Sequence, residues 1–122
     1  MATIKDSLDD IMKIDGAQCA AVVDSGSGMM LGHAGSGFDI EIAAAGNTEV
    51  MRAKLKTMKA LGLDDTIEDI LITLGKQYHL IRLMTNSDGA QNMFLYLALD
   101  RGKANLALAR HQLKRIENDL VV

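Results

Sequence analysis

The groups in this chain that could do chemistry are one thiol, three imidazoles and a scatter of carboxylates and guanidiniums. The lone cysteine, Cys19, sits in a small, apolar, partly β-branched run from Ala17 to Val23. A free Cys there behaves as a small hydrophobe, and no His within a few residues offers itself as an activating base. His33, His79 and His111 are far apart, and none shows the His-x-x-x-His or Cys-x-x-Cys spacing that metal ligation favours. The acid pairs Asp64-Asp65 and Glu68-Asp69 are neighbours, which point apart on a strand or loop, whereas acid/base catalysis needs converging carboxylates. They read as solvated caps and protection for a sheet edge. Gly26, Gly28, Gly32, Gly35 and Gly37 would suggest a phosphate loop, but no Gly-Lys-Ser/Thr ending follows to hold phosphate and magnesium. A dinucleotide fingerprint fails as well, since Leu31 stands where the third glycine belongs. No catalytic, cofactor-binding or metal-binding residue is assigned, and no cofactor is expected.

Positioning these groups falls to elements that periodicity and turn chemistry reveal. Thr3 followed by Asp6 has the form of a capping box, and Ile4, Leu8 and Ile11 recur at helical spacing until Asp15-Gly16. Ala17 to Val23, the turn Asp24-Ser25-Gly26-Ser27-Gly28 and Met29 to Ala34 form a β-hairpin. After Gly35-Ser36-Gly37, Asp39 to Leu61 is rich in good helix formers and predicts a helix of several turns. It carries two apolar stripes. One, with Ile40, Ala44, Met51, Leu55 and Met58, is expected in the core; the other, Ala43, Gly46, Val50, Ala53, Thr57 and Ala60, is made of small residues. Three strands follow, Glu68 to Leu74, Tyr78 to Met84 and Asn92 to Leu99, with turns at Gly75-Lys76 and Asn86-Ser87-Asp88-Gly89, giving an antiparallel meander. Both alternating sets of the last strand are apolar, as for a sheet covered on both faces. From Lys103 onward, Leu106, Ala109, Leu113, Ile116 and Leu120 mark an amphipathic helix.

The 122 residues are one domain's worth of chain, spanning 1–122, with no linker or repeat to divide them. With 48% hydrophobic and 24% charged residues the chain should fold. A formal net charge of -3 offers no cationic field for phosphate backbones or anionic lipid, so neither nucleic acid nor membrane is an expected partner. One cysteine cannot form an internal disulfide and no signal-peptide pattern opens the chain, so a cytoplasmic location is expected.

The order helix, two strands, helix, three strands, helix resembles the roadblock/dynein light chain family, in particular its bacterial or archaeal members. Asp100-Arg101-Gly102-Lys103-Ala104-Asn105-Leu106-Ala107-Leu108-Ala109-Arg110 looks like that family's passage from last strand to last helix, and Ile14-Asp15-Gly16-Ala17 with Asp24 to Leu31 looks like its first hairpin. The resemblance spans nearly the whole chain. It implies an α+β, profilin-like fold: a five-stranded antiparallel sheet with the central helix on one face and the terminal helices on the other. It also implies a non-enzymatic homodimer joined through the central helix and third strand. That assigns the interface to Ala43, Gly46, Val50, Ala53, Thr57 and Ala60 of the helix and to Asp69, Leu71 and Thr73 of the strand.

Family members build platforms: dynein light chains, lysosomal scaffold subunits, and bacterial partners of small Ras-like GTPases, one of which promotes hydrolysis. The resemblance therefore implies an interaction module for a small GTPase or a multiprotein complex. Arg52, Arg82, Arg101 and Arg110 each have the charge an arginine finger would need, although ordinary surface charge is the simpler reading of each. A small-molecule sensor is the rival function, since fold alone does not fix function, and a polar-lined internal pocket would favour it. An enzyme would need His and carboxylate groups converging in one cleft.

Overall fold

The first helix begins where its capping box predicts. In the computed structural model, which describes residues 2–85 and 92–121, Thr3 Oγ1 accepts from the Asp6 N–H at 3.1 Å and Asp6 Oδ2 accepts from the Thr3 N–H at 3.4 Å. Two of the helix's orphan donors are thereby satisfied reciprocally. Helix α1 (Ile4–Ile11) buries Leu8 and Ile11. Strands β1 (Ala17–Asp24) and β2 (Met30–Gly35) make the expected hairpin. Its turn is pinned by Asp24, whose carboxylate accepts from Ser27 Oγ at 2.8 Å and the Gly26 N–H at 3.2 Å. Those bonds hold the Asp24 carboxyl below its ordinary range. Gly35 is required rather than convenient: φ is +82°, and a Cβ there would run into the Gln18 carbonyl oxygen and the Cys19 backbone.

Helix α2 (Ile40–Ala60) starts at Asp39, whose side chain accepts from the Glu41 and Ile42 N–H groups. Strands β3 (Asp69–Thr73), β4 (Gln77–Met84) and β5 (Met93–Asp100) form the meander, and helix α3 (Leu106–Asp119) is capped by Asn105. The turn expected at Asn86-Ser87-Asp88-Gly89 lies outside the described residues.

All pairings are antiparallel and the sheet order is β2-β1-β5-β4-β3, so β1 and β5 sit together although most of the chain separates them. Alternation along each strand sorts side chains into two layers. Ala20, Val22, Leu80, Leu95, Leu97 and Leu99 pack with Leu8 and Ile11 of α1 and Ala109 and Leu113 of α3. Cys19, Ala21, Val23, Ile81, Leu83, Phe94 and Tyr96 pack with Ala44 and Met51 of α2. β5 itself is buried on both faces, as its doubly apolar sequence anticipates.

The two covers are unequal. Helix α2 runs closest to β1 and β2, at one side of the sheet. On its face the far strands keep Ile70, Ile72 and His79 only half-buried. Among the described residues no helix lies over the strip of sheet beside α2.

Candidate interaction surface

The core stripe of α2 falls where its spacing places it: Ala44, Met51 and Met58 are buried, and Ile40 and Leu55 pack partly against the same layer. The small-residue stripe faces outward. Ala43 is half-buried, while Gly46, Val50, Ala53, Thr57 and Ala60 are exposed. Two hollows lie along this side of the helix. One, of about 540 Å³, is walled by Val50, Ala53 and Thr57 and floored by Ile67 and Ile70. The other, of about 420 Å³, lies among Phe38, Ile42, Gly46, Asn47, His79 and Tyr96. Small side chains are what leave this space open: a Cβ added at Gly46 would meet nothing within 4 Å. Ile42, at 71% exposure, projects beside it. Apolar surface of this kind marks an interaction site more often than a free face.

The outer edge of β3 adds a second element. β3 ends the sheet, so no strand among the described residues pairs its far side. The structure places the three β3 residues of the expected interface in different surroundings. The Asp69 side chain is 11% exposed, and its carboxylate takes a bidentate pair from Arg110 at 2.8 and 2.9 Å on the α3 side. Asp69 is thus a bonded partner and not the solvated edge charge expected of the Glu68-Asp69 pair. Leu71 packs into the α1/α3 layer, and Thr73 is exposed at the strand's end. The β3 side chains that share α2's face are Ile70 and Ile72, which the expected set does not include. The alternation of a five-residue strand could have shown them, had the direction of its faces been known.

Beneath the second hollow runs a directional chain of hydrogen bonds. Gln77 Nε2 donates to Gln18 Oε1 at 2.6 Å, which turns Gln77 Oε1 toward His79 Nε2 at 2.9 Å. His79 must then carry its proton on Nε2, leaving Nδ1 to accept from the Tyr96 hydroxyl at 3.3 Å. Gln18 lies where the β1–β5 register slips between Ala17 and Cys19, a bulge that re-aims its side chain. Burial pushes the His79 pKa down, and burial followed by the nearby Cys19 pushes the Tyr96 phenol up. Burial also raises the Cys19 thiol, which opposes thiolate formation. Among the described residues no three His, Cys, Asp or Glu side chains gather as metal ligands. No helix of the described residues is long and apolar enough to cross a membrane.

Arg52, Arg82, Arg101 and Arg110 are each engaged inside the chain. Arg52 donates to the carbonyls of Ser25 and Gly26, and Arg82 pairs with Glu117 at 3.0 Å. Arg101 donates to the Leu74 carbonyl and lies over the Tyr78 ring, and Arg110 holds Asp69. Their roles in this structure are to tie loops and layers together.

No family model and no curated protein sequence matches the chain. Solved structures do. A roadblock/LC7 domain from Streptomyces avermitilis superimposes with a TM-score of 0.77 at 10% identity, over 92% of this chain and 89% of that one. This is the roadblock fold. Myxococcus xanthus MglB shares it, with a TM-score of 0.80 at 18% identity over 94% of this chain and 89% of its own. So does an MglB described as having a tetrameric arrangement, at 0.77 and 18% identity over 93% and 82%. Within the roadblock sheet, the strip left bare beside α2 and the open β3 edge are contiguous, and together they form the candidate interaction surface.

Proposed function

We infer that the chain is a non-enzymatic interaction module of the roadblock family, acting in the cytoplasm as a homodimer. The observation that carries this reading is the off-centre α2 with small residues along its open side. A second copy's α2 would lie on the bare strip, and the two β3 edges would pair into a continuous sheet. Gly46, Val50, Ala53 and Thr57 permit close helix approach, and Ile70 and Ile72 supply apolar floor. The resulting platform would bind or regulate a partner, and the resemblance to the roadblock family favours a small Ras-like GTPase. One solved structure of this fold, an MglB, is described as having a tetrameric arrangement, which supports assembly here.

Two measurements test the reading. Light scattering on the purified chain should give twice the monomer mass, and Gly46→Leu should give monomers that remain folded, since a Cβ added there meets nothing within 4 Å and Gly46 is exposed. Capture from the source organism's lysate, with and without a non-hydrolysable GTP analogue, should enrich a Ras-like GTPase. A folded monomer for the parent protein sinks the dimer; no GTPase in either capture sinks the assigned partner.

A further inference from the structure

The hollows along α2 belong to the surface just described, but a cleft of about 260 Å³ between α1 and α3 does not. It lies in the opposite layer and stays open when α2 and the β3 edge are covered. It is lined by Ser7, Asp10 and Lys13 from α1 and the turn beyond it, and by Gln112, Arg115 and Asp119 from α3.

Ser7 carries the argument. It is completely buried, and its hydroxyl is the one buried side-chain polar atom among the described residues that has no hydrogen-bond partner. Folded chains rarely leave such a group unanswered, because its lost hydration is not replaced. The rim is unusual in a second way. Arg115 and Asp119 stand four residues apart on α3, the spacing at which opposite charges pair, yet they form no ion pair with each other or with another described residue. Lys13 and Asp10 do face each other, at 3.4 Å. Two cations and two carboxylates leave the rim without net charge, which disfavours phosphates and other polyanions, whose recognition needs clustered positive groups. It suits a molecule bearing one charge of each sign. Ile14 and Ile116 add apolar wall for a short carbon stem.

We propose that this cleft binds a small zwitterion of the α-amino acid class. Its carboxylate meets the Arg115 guanidinium, its ammonium meets Asp119, and its remaining polar atoms meet the Gln112 amide and the Ser7 hydroxyl. Ser7 lies at the floor, so binding includes rotation of its Oγ toward the ligand.

The test titrates each of the twenty common L-amino acids separately into the full chain, following backbone amide resonances. At least one should bind saturably at millimolar concentration or below, with shifts concentrated at Ser7, Gln112 and Arg115. Arg115→Gln, an exposed change that leaves the fold intact, should weaken that binding about tenfold or more. Ser7→Ala should weaken it too while raising the melting temperature of the ligand-free chain, because the orphan hydroxyl is gone. No saturable binding below about 10 mM by any of the twenty, or binding that Arg115→Gln leaves unchanged, overturns the proposal.

Discussion

His79 is the residue whose environment makes the sharpest solution prediction. Both ring nitrogens are bonded in the neutral tautomer, and burial depresses its pKa below the ordinary 6.5. Between those two values the unfolded chain binds more protons than the folded one, so acid favours unfolding. Stability from this group is full above about pH 6.5 and is lost as the pH falls toward the depressed value. Urea unfolding from pH 8 to pH 5 should show a midpoint that declines below pH 6.5, and His79→Gln should flatten that part of the curve. An identical decline in the variant would assign it to other groups. Cys19 yields a companion expectation from the same physics: a buried thiol with a raised pKa should react with a thiol reagent only after denaturant opens the core.

Between elements, the layers are joined by charge as well as by apolar packing. Arg110 on α3 holds Asp69 on β3, and Glu117 on α3 holds Arg82 on β4, with Asp69 and Arg82 directly opposite across the strands. The Arg82 and Glu117 side chains are only 12% and 17% exposed. Truncating one member strands the other in a poorly hydrated place, so Glu117→Ala should cost about 3 kcal/mol in denaturant unfolding. Arg110 is half-exposed, and Arg110→Ala should cost less, about 1 kcal/mol. Equal costs would show that burial does not separate the two pairs. At the start of α1, Thr3→Ala removes a cap and should cost about 1 kcal/mol by the same assay.

For the molecule as a whole, the asymmetry of its covers is the property with the widest consequence. The α1/α3 layer closes one face of the sheet, whereas α2 alone does not close the other. If a second copy completes that face, unfolding and dissociation are coupled, and the melting temperature should rise with protein concentration. Gly46→Leu should abolish that dependence. A melting temperature independent of concentration in the parent protein would mean that the monomer is stable with the strip bare.

The elements and their order were legible in the sequence because their signals are local: the Thr3 cap, the 3.6-residue period of α2 and α3, the glycine-rich turn after β1. The same holds for the division of α2 into a buried Met51-Met58 stripe and an exposed small-residue stripe, which follows from helical geometry alone. Which way β3 faces was not legible, since a five-residue strand with apolar residues on both sides has no local preference. Packing between elements decided it: Leu71 joins the α1/α3 layer and Ile70 the α2 layer, and Arg110, 41 residues away, bonds Asp69 on the α3 side. The hydrogen-bond chain from Tyr96 through His79 and Gln77 to Gln18 joins three strands, and the Ser7 hydroxyl is buried without a partner where α1 packs against the rest of the fold. Satisfaction of a polar group depends on what surrounds it in space, and that is set by packing between elements rather than by any spacing along the chain.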